Sequence, residues 1–190
     1  MKFIHVCATA ALACFLCAGS AFAGSHPQDH HGFFIGFNLG AGTAQVKSDG
    51  ESSDHEWGGA GNFRLGGAVK NNLLLGGEFT GWTKDQDGST VSLSTALFAV
   101  TYYPAEDTGF FVRGGMGFGS SHFSVDLSNG FTQSKDETGF ALALASGYEW
   151  RLTKKFALGP QVEFNWLDIG GDLVDTANFF DATLGFNWYW

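Results

Sequence analysis

Residues 180–190 read F-D-A-T-L-G-F-N-W-Y-W, and every second position is apolar: Phe180, Ala182, Leu184, Phe186, Trp188 and Trp190. Between them stand Asp181, Thr183, Gly185, Asn187 and Tyr189. A period of two over this length describes a β-strand with one apolar face and one polar face. Four large aromatics on the apolar face need a cover. A soluble sheet must supply another protein layer, whereas lipid covers a strand that lies in a membrane. About ten residues also suffice for a tilted strand to cross a bilayer.

The same alternation runs back through the chain. It begins with Phe33, Ile35, Phe37, Leu39 and Ala41, set against Phe34, Gly36, Asn38, Gly40 and Gly42. A second strand, 57–69, sets Phe63, Leu65 and Val69 against Asn62, Arg64, Gly66 and Ala68. A turn at 70–72 leads to a third, with Leu73, Leu75, Gly77 and Phe79 opposite Leu74, Gly76, Glu78 and Thr80. In the fourth, Val91, Leu93, Thr95, Leu97, Ala99 and Tyr103 are read as the lipid row, and Ser92, Ser94, Ala96 and Phe98 as the inner one. After a turn at 104–109 the fifth alternates Phe110, Val112, Met116 and Phe118 with Phe111, Arg113, Gly115, Gly117 and Gly119. The sixth sets Phe140, Leu142, Leu144, Tyr148 and Trp150 against Ala141, Ala143, Ala145, Gly147, Glu149 and Arg151. A turn at 153–155 precedes the seventh, where Phe156, Leu158, Val162, Phe164 and Trp166 oppose Gly159, Gln161, Glu163 and Asn165. Pro160 has no amide donor, so a bulge is expected there.

Eight strands joined alternately by short turns and longer acidic loops predict an all-β fold: an eight-stranded antiparallel up-and-down transmembrane β-barrel over residues 33–190. In layout the chain resembles the small bacterial outer-membrane barrels, such as the OmpA membrane domain and OmpX. That resemblance implies short periplasmic turns, long extracellular loops and a monomer surrounded by outer-membrane lipids and lipopolysaccharide. It also implies that Leu184, Phe186, Trp188 and Trp190 form the closing signal read by the barrel-insertion machinery.

Before the barrel, Lys2, an apolar stretch and Ala21-Phe22-Ala23 form the pattern of a secretory signal peptide over residues 1–23. Residues 24–32 are then a polar tail. Cys7, Cys14 and Cys17 all fall in the leader, so no disulfide or thiol chemistry is expected after cleavage. Without Lys2, 9 basic residues face 19 acidic ones, which argues against nucleic acid as a partner. Mean hydropathy is zero, as strands polar on one face require.

The inner face carries Arg64, Arg113 and Arg151 against Glu78, Glu149, Glu163 and Asp181. Eight strands enclose a space that side chains just fill, and near balance of charge suits a closed lumen. These residues are therefore expected to form an ion-pair network, with a gated ion path as the alternative use. A three-residue turn at 70–72 would set Arg64 directly opposite Glu78. The loops hold twelve carboxylates: Asp49, Glu51, Asp54, Glu56, Asp85, Asp87, Asp126, Asp136, Glu137, Asp168, Asp172 and Asp175. Beside lipopolysaccharide they could be bridged by divalent cations. The stretch 85–88, D-Q-D-G, has the start of a calcium loop but lacks its length and closing glutamate.

Two constellations carry chemistry. His122 and Ser124 share the lipid-facing parity of strand five if that strand extends so far, and Asp136 and Glu137 open strand six. This outward His-x-Ser with a later carboxylate resembles the lipid A deacylases of eight-stranded barrels, which implies serine as nucleophile, histidine as base and the carboxylate as orienter. The family's asparagine after the serine is replaced by Val125. The second is Gly24-Ser25-His26 at the new amino terminus, a nitrogen set suited to Cu(II) or Ni(II), with His30 and His31 nearby. No cofactor is expected, and the fold-level reading is a non-enzymatic barrel.

Overall fold

In the computed structural model, which describes residues 26–48, 51–86, 89–105, 108–126, 132–171 and 174–190, eight long strands close on themselves. They are β1 (Phe33–Ser48), β2 (Glu56–Lys70), β3 (Leu73–Gln86), β4 (Ser89–Tyr102), β5 (Phe110–Asp126), β6 (Thr132–Tyr148), β7 (Phe156–Asp168) and β8 (Thr176–Tyr189). Each pairs antiparallel with its neighbour in sequence, and β1 pairs with β8 from Phe34↔Tyr189 to Lys47↔Thr176. Closure leaves no sheet edge exposed. The expected leader (1–23) and Gly24 and Ser25 lie outside the described residues, as do Asp49, Asp87 and Asp172.

The two-residue period sorts the side chains. Phe37, Leu39, Phe79, Met116, Phe118 and Leu144 lie on the outside, Phe118 with 70% of its surface exposed. Such a belt is stable only against lipid. β8 follows the expected parity: Leu184, Trp188 and Trp190 face out, and Asp181, Thr183, Asn187 and Tyr189 are buried. β4 does not. Leu93, Thr95, Leu97 and Ala99 are buried, whereas Phe98, Val100 and Tyr102 face outward. Both rows of β4 are largely apolar, so periodicity alone had no contrast to orient them. Register with β3 decides it, because Glu78 pairs with Leu97 and both must share the inner face.

The β2–β3 turn is tighter than expected. Lys70 pairs with Leu73 across Asn71 and Asn72, and a bulge between Ala68 and Lys70 then restores the register that sets Arg64 against Glu78. No bulge forms at Pro160, which pairs in unbroken register with Leu184. Instead the strand opposite is interrupted at Glu149 and resumes at Trp150–Arg151. A proline has no N–H to give the ladder. Gly109 and Gly159 permit the close approach there, since a Cβ on either would collide with the carbonyl of Glu149 or of Tyr148.

The loops are shorter than their polarity suggests. The polar stretch 121–137, which carries three of the carboxylates expected in loops, is mostly ladder: Ser121↔Glu137, His122↔Asp136 and Ser124↔Ser134 continue the β5–β6 hairpin to Asp126↔Thr132. Backbone pairing needs no apolar side chains once it rises beyond the lipid. β3 and β4 likewise run to Gln86 and from Ser89.

Candidate functional site

Inward side chains stack in three layers. An apolar layer at the short-turn end is built by Phe34, Leu74, Tyr103, Phe111, Ala157 and Tyr189. A second apolar layer at the loop end includes Trp82, Leu93, Leu97, Leu167, Val174 and Phe179. Between them lies the polar layer. All seven charged residues expected to face the lumen are buried.

Arg113 is the hub. Its Nε lies 2.6 Å from Glu78 Oε2 and its Nη2 2.8 Å from Glu163 Oε2. Asn62 Nδ2 donates to Glu78 Oε1 at 2.5 Å. Glu163 also accepts from Thr80 Oγ1 (3.0 Å), Asn165 Nδ2 (2.9 Å) and Gln161 Nε2 (3.1 Å). Charge-assisted bonds of this length, buried and multiply supported, hold strands that are not neighbours in the sheet. Arg64 sits opposite Glu78 in the ladder, but its Nη2 donates to Asn187 Oδ1 at 2.8 Å. The inner wall is concave, so long side chains converge on partners across the lumen rather than on the nearest strand. Asp181, opposite Glu163, has no hydrogen bond to either carboxylate oxygen among the described residues.

The polar stretch ahead of β1 lies over the short-turn end. His30, only 1% exposed, donates its backbone N–H to Asn71 Oδ1 at 2.7 Å. Its Nδ1 is 2.9 Å from Asn71 O and its Nε2 2.9 Å from Glu149 Oε1. The ring stacks on Tyr103 with centroids 4.0 Å apart. Gln28 Nε2 donates to the Glu149 carbonyl, and Tyr189 Oη and Asn187 Nδ2 donate to its carboxylate. Arg151 lies 4.0 Å over the Tyr189 ring and 3.8 Å from Glu149. Gly32, at φ 66°, makes the bend between this plug and β1, where any side chain would strike the Trp190 carbonyl. The sequence placed Glu149 and Arg151 inside but set His30 beside the amino-terminal nitrogen set, whereas the structure buries it against Glu149. The inward parity of Tyr189 was the available signal that something aromatic and polar waited there.

At the loop end, His122 and Ser124 lie on the outward parity of an extended β5, as the sequence requires. His122 Nδ1 is 2.5 Å from Asp136 Oδ1 on β6. No hydrogen bond joins His122 to Ser124 among the described residues. Glu137 turns the other way: it is ion-paired with Lys135 at 3.0 Å and accepts from Val174 N at 3.0 Å, pinning the β7–β8 connection. It therefore stands apart from the outward pair. Inside the rim, Glu56 pairs with Lys84. Among the described residues, no group of three or more His, Cys, Asp or Glu side chains is arranged to hold a metal ion.

A model of the outer membrane protein beta-barrel domain matches residues 8–188. The chain belongs to that family. Solved structures share the fold at low identity. Neisserial surface protein A (NspA) is 16% identical over 83% of this chain and 97% of its own, with a TM-score of 0.60. Ail, the attachment invasion locus protein of Yersinia pestis, in complex with the heparin analogue sucrose octasulfate, is 16% identical over 82% and 99%, with a TM-score of 0.55. Curated protein sequences give no match. Membership places the barrel in the bacterial outer membrane among its lipids, with the outward belt of Phe37, Phe118 and Leu144 as the lipid contact.

Proposed function

We propose that this protein is a non-enzymatic, monomeric outer-membrane barrel with a filled lumen. It supports the envelope and offers its acidic loop end, turned outward, for surface interaction. One observation carries the reading: the Arg113–Glu78–Glu163 cluster, an apolar layer on each side and the His30 plug occupy the barrel from its short-turn end to the level of Trp82. A closed lumen leaves function to the hairpin ends. Their carboxylates, among them Glu51, Asp54, Asp85 and Asp175, favour divalent cations that bridge to lipopolysaccharide phosphates, and oppose polyanions. The heparin analogue on Ail is therefore a poor guide to the partner here. The outward row Leu184, Phe186, Trp188 and Trp190 is assigned to recognition by the insertion machinery, residues 1–23 to a cleaved leader, and Gly24-Ser25-His26 to an optional copper or nickel site. Planar bilayers test the lumen: no steady single-channel current is expected, and a reproducible one supports the channel alternative instead. Surface binding compared between the full chain and one with shortened β1–β2 and β5–β6 hairpins tests the loops.

A second reading rests on the His122–Asp136 contact. An oriented imidazole two residues from Ser124, on the lipid-facing side of the rim, has the composition of an acyl-ester hydrolase. Mass spectrometry of lipid A from cells with wild type and with Ser124→Ala decides it. The non-enzymatic reading requires identical acyl patterns.

A further inference from the structure

We propose that the loop end of the lumen is a binding cup for one small uncharged amphiphile: an apolar ring system carrying a single hydroxyl. Among the described residues, a cavity of about 410 Å³ opens there between β1 and β5. Ala44, Val46, Trp82, Val91 and Phe123 form its walls, and Glu56 and Lys84 its polar edge. Every one of them stands on the inward parity of its strand. The floor is fixed, because Trp82 Nε1 donates to Gly42 O at 3.2 Å and Leu93 is fully buried beside it. The volume lies in the lower part of the range for small-ligand sites, about 300–1,000 Å³. Apolar walls facing open space forgo dispersion contacts that a ligand would supply.

Charge selects the ligand class. Glu56 and Lys84 neutralise each other, so the cup carries no net charge for an ion to answer. Glu51 and Asp54, in the β1–β2 connection that lends Ser53 to the cup, repel anions before entry. The same carboxylates draw an amine to the mouth, but inside it sheds its water without a free counter-ion, because Glu56 already holds Lys84. A hydroxyl, by contrast, can donate to the Glu56 carboxylate while its ring lies against Trp82 and Phe123.

The test uses the full chain in lipid nanodiscs, labelled with nitrogen-15, and 2-naphthol, which is uncharged at neutral pH. The Trp82 indole resonance is expected to shift saturably. The outward Trp188 and Trp190 should drift without saturation as naphthol enters lipid. Naphthalene-2-sulfonate and 2-naphthylmethylammonium should bind about tenfold more weakly. Val91→Phe fills the cup and should abolish the saturable shift, with heat-modifiable gel migration reporting that the variant folded; Ser89→Phe at the rim serves if it does not. A non-saturating Trp82 shift overturns the proposal, as does undiminished binding by the folded filled variant. Equal binding of either ion overturns the ligand class. A Trp82 resonance that ignores naphthol but follows the acyl-chain length of the nanodisc lipid would assign the cup to lipid and overturn it too.

Discussion

Removing Arg113 should be the most damaging single change in the polar layer. Its guanidinium, 3% exposed, meets Glu78 at 2.6 Å and Glu163 at 2.8 Å, so Arg113→Met strands two buried carboxylates at once. Loss of one partner of a buried pair costs about 3–5 kcal/mol, and the upper end applies where two acids lose the same cation. Arg64→Ala removes a bond to a neutral amide, Asn187, and should cost less, about 1–3 kcal/mol. Adding Glu78→Gln and Glu163→Gln to Arg113→Met removes the orphan charges and should recover a large part of the loss. Reversible urea unfolding in lipid vesicles, followed by tryptophan fluorescence, reads these differences. If Arg113→Met costs no more than Arg64→Ala, or if the triple variant is as unstable as the single, Arg113 is not the hub. The sequence suggested Arg64 as the counter-ion of Glu78; recovery of Arg64→Ala by Glu78→Ala would restore that pairing and refute the one argued here.

Three further outcomes are expected. Spin labels at Phe98→Cys and Leu97→Cys, in a chain whose native cysteines all precede residue 18, should report a lipid-exposed 98 and an immobilised 97; the reverse would return β4 to its sequence-based orientation. His30→Ala removes contacts to Asn71 and Glu149 and should cost about 1–3 kcal/mol while making residues 26–31 newly sensitive to limited proteolysis, and an unchanged cleavage pattern would show that the plug is held by something else. The folded protein should migrate differently on gels before and after boiling, because a closed barrel offers detergent no edge at which to begin unfolding; identical migration of inserted protein would contradict closure.

The barrel itself is written in local pattern. Each of β1–β3 and β5–β8 contrasts an apolar row with a small or polar one, and the period of two converts that contrast into a lipid face and a lumen face without reference to any other strand. The inward placement of Arg64, Glu78, Arg113, Glu149, Arg151, Glu163 and Asp181 follows from the same parity, as does the outward placement of His122 and Ser124. Tertiary structure decided the rest. β4 has two apolar rows, so only its register with β3 orients it. Arg64 passes over Glu78 because a closed, concave wall brings Asn187 and Arg113 within reach from strands far apart in sequence. The polar ends of β5 and β6 look like loop until their backbones pair. His30 has no periodic signal at all, and becomes a plug only where Asn71, Tyr103, Glu149 and Tyr189 converge at the end of the closed cylinder. Parity is a property of one strand, whereas partner choice depends on distances across the lumen that exist only once all eight have met.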